Sequence, residues 1–152
     1  MKISPTRLGH LVLRVRNVKR SEEFYGGILG LEVKGRIEDK MVFFRSNPEI
    51  DHDLAVMGVG KEAPGPDAKG VGLYHFAYEL GSFQELQDAY RVVVDNGVTI
   101  SGYGDHGDTK GLYILDPDGN EIELYAISPG HESTPLKTLL RDGAREPGGV
   151  AG

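Results

Sequence analysis

A chain of 152 residues with 39% hydrophobic and 26% charged side chains is long enough to bury one compact core. Its net charge of −6, with Lys and Arg scattered along the chain, excludes an electrostatic grip on nucleic acid, and no apolar run reaches the roughly 18 residues that span a bilayer. Zero cysteines exclude disulfides and thiolate metal sites, so a metal would have to be held by His, Asp or Glu.

Leu8–Val15 is expected to form the first strand, with His10 and Val12 on one face and Leu11, Leu13 and Val15 on the other. Ser21 is expected to cap a helix that breaks at Gly30, and three strands follow at Leu31–Ile37, Met41–Arg45 and His52–Gly58. The 22 glycines are about twice the usual share, and with prolines they make 58–70 an internal linker. Beyond it, Leu73–Leu80 reads as a strand with His75 and Ala77 opposite Phe76 and Tyr78. Ser82 then caps a helix whose apolar face carries Phe83, Leu86, Tyr90, Val93 and Val94, ending at Gly97. Strands at Thr99–Gly104, Leu112–Leu115 and Glu121–Ile127 complete the second half, the last placing Glu121, Glu123 and Tyr125 opposite Ile122 and Leu124. The tail from Ser128 is expected to hold a short helix near Leu136–Arg141 and a disordered end, with His131 simply exposed. The N-terminal MKISPTRLGH lacks the apolar core of a signal peptide, which makes the cytoplasm the default location.

Both halves therefore read strand–helix–strand–strand–strand, each with a histidine near the start of its first strand. The expected fold class is α+β, a single domain of two βαβββ modules at about 6–60 and 71–127 with a tail at 128–152. In GDHGDTKGLYILDPDGNEIE, residues 104–123, Gly104, His106, Leu112, Tyr113, Asp116, Pro117, Gly119 and Glu123 follow one another in the order of a known signature. Asp116-Pro117-Asp118-Gly119 supplies a turn in which proline presets φ and glycine permits a left-handed residue.

This stretch resembles the signature of type I extradiol ring-cleavage dioxygenases, and the repeat resembles the vicinal oxygen chelate superfamily from about Thr6 to Ile127. The resemblance implies that the modules curl into a half-open barrel around a metal. It places His10, His75 and Glu123 as ligands of Fe(II), with Mn(II) able to replace iron. Two imidazoles and one carboxylate leave open positions for both catechol oxygens and O2. It gives His52 an acid–base role, for which imidazole suits proton shuttling at neutral pH. It makes His106 and Tyr113 the pair that orients the bound substrate. The implied reaction is meta cleavage of a small aromatic diol by O2, and exposed strand edges on a small chain suit a homodimer.

Taken singly, each residue has a plainer reading: a hydrogen-bonded strand histidine, a solvated glutamate, a core tyrosine, a loop histidine. It is their joint match that favours the site. One departure stands at Asp51, where the family often has a second histidine. Glyoxalase I and methylmalonyl-CoA epimerase share the fold but take a further Glu or Gln ligand from the last strand of module one. That strand, His52-Asp53-Leu54-Ala55-Val56-Met57, has neither, and Asp53, its one acid, alternates away from His52 if the strand is regular. Thiol transferases that modify fosfomycin also use His, His and Glu, but they do not require His52, His106 and Tyr113 together. A binding module without a metal is the least favoured reading, because such members of the superfamily usually lack the triad.

Overall fold

A computed structural model describes residues 1–128 and 135–143. His131 and the expected disordered end lie outside the described residues. The chain packs as two compact units, Met1–Gly65 and Pro66–Gly152, divided within the Gly- and Pro-rich linker.

The first unit contains β1 (Leu11–Val15), α1 (Val18–Glu22) running on as a π-helical turn over Glu23–Ile28, then β2 (Glu32–Ile37), β3 (Met41–Arg45) and β4 (Leu54–Gly58). Its open sheet has the order β1-β4-β3-β2, with β1 parallel to β4 and the other pairs antiparallel. Alternation decides what is buried: Leu13 and Val15 on β1 and Val42 and Phe44 on β3 join Phe24 and Tyr25 from the helical segment.

The helix starts one turn earlier than Ser21. Asn17 is the cap, its side chain accepting from Arg20 N–H at 2.9 Å, while Ser21 is buried inside the helical segment. An i−5 bond from Leu29 N–H to the Phe24 carbonyl, 3.0 Å, marks the widened turn at Gly26-Gly27, where no side chain opposes the expansion.

The second unit repeats the order with β5 (His75–Glu79), α2 (Phe83–Asp95), β6 (Ile100–Asp105), β7 (Thr109–Leu115) and β8 (Glu121–Ile127), followed by α3 (Leu136–Gly143). Its sheet is β5-β8-β7-β6, again open and mixed. The expected α+β class and duplicated βαβββ order are both present. Ser82 caps α2 as expected, accepting from Glu85 N–H at 3.2 Å. Of the expected apolar face, Leu86 and Val93 are buried but Val94 is half exposed, because one residue further turns it about 100° away. Leu136 and Leu140 of α3 are buried, and Gln87 of α2 donates to the Leu139 carbonyl at 3.0 Å.

The turn into β8 is built around Asp116. One carboxylate oxygen accepts from Asp118 and Asn120 N–H, both at 2.8 Å, and the other from the Asn120 amide at 2.8 Å. Gly119 closes the turn at φ +90°. This buried knot fixes where β8 begins and so where its alternating side chains point.

Candidate metal centre

In the second unit the parallel pairing of β5 with β8 sets His75 beside Glu121 and Ala77 beside Glu123. The antiparallel pairing of β7 with β8 sets Tyr113 beside Glu123. His75, Glu121, Glu123 and Tyr113 therefore share one face, opposite the buried Ile122, Leu124 and Ile114. His75 Nε2 stands 3.4 Å from Glu123 Oε2, and His75 Nδ1 stands 3.7 Å from Glu121 Oε2. The imidazole packs edge-on against Tyr113, with ring centres 5.4 Å apart, and at a tilt against Tyr74, 4.9 Å away.

Tyr113 interacts with the Glu123 carboxylate, and burial first, then the charge of Glu123, pushes its phenol above the usual tyrosine range. Two glycines leave room for these groups. A methyl group on Gly104 would stand 3.0 Å from Tyr113 Cε2, 3.1 Å from its hydroxyl and 3.3 Å from His106 Nε2. The hydroxyl and imidazole thus converge over Gly104. A methyl group on Gly111 would stand 2.6 Å from Glu123 Oε1.

His106 lies in the β6–β7 turn, its N–H bonded to the Thr109 carbonyl at 2.9 Å. Lys110 tightens that turn, with Nζ 2.8 Å from Asp105 Oδ1 and 3.1 Å from the Gly107 carbonyl, and is almost fully buried.

In the first unit, Leu11 N–H donates to the Asp53 carbonyl at 3.1 Å, so the residues just before β1 and β4 lie alongside. His10 and His52 are those neighbours, their ring centres 4.5 Å apart, with Phe43 edge-on to His52 at 5.3 Å. Neither histidine is inside a strand, as each precedes its strand by one or two residues. His52 Nδ1 is paired with Asp51 Oδ2 at 2.5 Å, and that hydrogen bond holds the Asp51 carboxyl below its ordinary range. Asp53 is tied to Ser46 through Oδ2, which accepts from the serine hydroxyl and N–H, while its Oδ1 is buried without a hydrogen bond.

Among the described residues no three His, Asp or Glu groups form a ready metal cluster. The donor pair in the second unit nevertheless fits a metal. Two donors each about 2.1 Å from one ion stand roughly 3.0–3.4 Å apart, the Nε2–Oε2 separation found, and one imidazole with one carboxylate is an Fe(II)-compatible set.

The family profile of the glyoxalase/bleomycin resistance protein/dioxygenase superfamily matches residues 7–124. The chain belongs to this superfamily. It is 34% identical over 129 residues to a catechol-2,3-dioxygenase of Bacillus subtilis (strain 168), which covers 82% of the chain and 42% of that protein. It is 33% identical to biphenyl-2,3-diol 1,2-dioxygenase 3 of Rhodococcus globerulus, over 82% of the chain and 64% of the relative. It is 31% identical to a lactoylglutathione lyase of Neisseria meningitidis serogroup A / serotype 4A (strain DSM 15465 / Z2491), over 87% of the chain and 99% of that enzyme. The chain thus spans less than two thirds of the dioxygenases it matches. A solved glyoxalase/dioxygenase from Nostoc punctiforme superposes with a TM-score of 0.71 over 84% of the chain and 97% of that structure at 24% identity, a likeness of fold.

Glu121, Ser101 and Gly111 carry no role in the sequence reading. The alternation of Glu121 and Glu123 on one strand face was the available signal for the first. The other two depend on distances that no spacing encodes.

Proposed function

We propose that the chain is an Fe(II)-dependent extradiol dioxygenase, opening a small aromatic diol with O2. The observation that carries this is the His75–Glu123 donor pair flanked by the Tyr113 hydroxyl and His106 imidazole, which meet over Gly104. In this reading His10 is the third ligand, and Mn(II) can take the place of iron. The similarity to two diol dioxygenases supports the same chemistry.

Fe(II), when bound, would supply adjacent open positions for the diol oxygens and O2 and an electron path between them. The protein's own groups do the rest. Tyr113 stays a neutral donor through neutral pH and offers a hydrogen bond to a diolate oxygen. His106 offers a second polar contact at the same place. His52, steadied through Nδ1 by Asp51, leaves Nε2 to take a proton from the diol and return it during ring opening.

A lactoylglutathione-lyase-like isomerisation is the second reading, favoured by the match along 99% of such an enzyme. Against it stands β4, Leu54–Gly58, which offers no Glu or Gln.

Anaerobic reconstitution with Fe(II), addition of a catechol panel and admission of air test the proposal. Yellow ring-fission product with matching O2 uptake is the expected result. No O2 uptake, with turnover of a glutathione hemithioacetal in Ni(II)- or Fe(II)-loaded protein, would overturn it. Replacing His10, His75 or Glu123 by Ala should abolish metal retention.

A further inference from the structure

His75 presents its two nitrogens to two different carboxylates. Nε2 faces Glu123 at 3.4 Å and Nδ1 faces Glu121 at 3.7 Å. Glu121 is not a loose surface acid. Its Oε1 accepts from the Ser101 hydroxyl at 2.7 Å, a bond that reaches from β8 to β6, and its side chain is only about one-fifth exposed. His75 Nδ1 is buried and makes no hydrogen bond. A buried polar nitrogen left without a partner is destabilising, so a partner is expected where a carboxylate oxygen already stands. The gap exceeds hydrogen-bond range by about half an ångström, which a small rotation of either side chain closes.

We propose that Glu121, anchored by Ser101, is the positioning residue for His75: it accepts the Nδ1 proton and thereby commits Nε2 to the metal. The inference rests on the metal reading of His75 and Glu123. A metal-bound imidazole must present an unprotonated nitrogen, and a free imidazole divides its proton between both. A carboxylate at Nδ1 removes the wrong tautomer and fixes the ring plane. Register explains why Glu121 can do this and Glu123 cannot. Glu121 is the direct parallel-strand partner of His75, whereas Glu123 lies two residues on and meets the far side of the ring.

This separates two acidic roles in the second unit: Glu123 is the donor to the ion and Glu121 orients a donor. Ser101 anchors the other carboxylate oxygen, Oε1, from β6, on the opposite side of β8 from His75.

The test is metal affinity of the full chain, measured by titration with Co(II) and Fe(II), together with 15N NMR of the His75 ring in metal-free protein at neutral pH. Wild type should show the Nδ1–H tautomer. Glu121→Ala should mix the tautomers and weaken affinity by about 10–100-fold. Glu121→Gln keeps an acceptor oxygen and should restore most of both, and Ser101→Ala should lie between Glu121→Ala and wild type. Unchanged affinity and tautomer in Glu121→Ala would overturn the inference while leaving the metal centre standing. Equal losses in Glu121→Gln and Glu121→Ala would also overturn it, since they would make Glu121 a charged ligand. A wild-type protein that binds neither metal would refute the metal reading and this inference with it.

Discussion

Gly111 offers the sharpest test of whether Glu123 is held for a purpose. A methyl group there would sit 2.6 Å from Glu123 Oε1, while Cγ and Cδ would be at an ordinary 3.4 Å. Only the carboxylate end collides. Relief to ordinary contact requires Oε1 to move by about 0.8 Å, which a rotation of the side chain supplies without moving the backbone. A misplacement near 1 Å at a reacting centre is worth about 100-fold, and ligand distances tolerate only about 0.2 Å. Gly111→Ala should therefore weaken metal binding by about 10–100-fold, or about 1.4–2.7 kcal/mol.

Folding stability should change by less than about 1 kcal/mol, because alanine in a strand restricts the unfolded chain and offsets the cost of the rotation. Metal titration and urea unfolding of the metal-free protein measure the two quantities separately. If Gly111→Ala keeps wild-type affinity, the wall beside Glu123 does not set its position and the reasoning fails. If it instead costs several kcal/mol of stability, the backbone is yielding rather than the carboxylate. In that event the same loss in a Gly111→Ala, Glu123→Ala double variant would confirm that Glu123 is not the point of collision.

Tyr113→Phe should retain metal but lose about 10²–10³-fold in kcat, since it deletes a donor aimed at substrate charge; an unchanged kcat refutes that role. The Asp51 carboxyl is depressed by its bond to His52, so its contribution to stability is present above about pH 4 and is lost as pH falls through the folded value; Asp51→Asn should flatten the acid limb of unfolding midpoints below about pH 4. Asp105→Ala should destabilise by about 3 kcal/mol because it leaves the buried Lys110 ammonium without its carboxylate, facing only the Gly107 carbonyl, whereas Lys110→Met should cost under about 1.5 kcal/mol; urea unfolding with the order reversed would refute the asymmetry.

The duplicated order of elements was legible because each strand carries its alternation openly, as in Ile122, Leu124 and Ala126 buried between Glu121, Glu123 and Tyr125. Caps were legible where one candidate stood alone, at Ser82, and not where Asn17 preceded Ser21 by a turn. The first strand, read from Leu8, begins three residues later at Leu11, and the one read from His52 begins two later at Leu54, since pairing begins only at the Leu11–Asp53 bond. Parity gave the faces of His75 on β5 and Glu123 on β8, but that Tyr113 joins them depends on the register of β8 with β5 and β7. What parity cannot supply is depth: Lys110 reads as a surface charge on a strand but is buried under its own turn, because Asp105 and Gly107 curl back over the ammonium.

Register also bears on the number of ligands. With His10 aligned to His75, the parallel pairing aligns Leu54 with Ile122, Asp53 with Glu121 and Ala55 with Glu123. The place in the first unit that answers to Glu123, the proposed ligand, is thus filled by Ala55, which is fully buried and has no donor atom. Asp53, the acid that looked able to supply a fourth ligand, answers instead to Glu121 and is similarly tied to a serine, Ser46. Each unit therefore sets a serine-anchored acid at the start of its last strand, but only the second follows it with a donor two residues on. The proposed carboxylate donor is therefore a feature of the second unit alone, where the register sets it two residues beyond the serine-anchored acid.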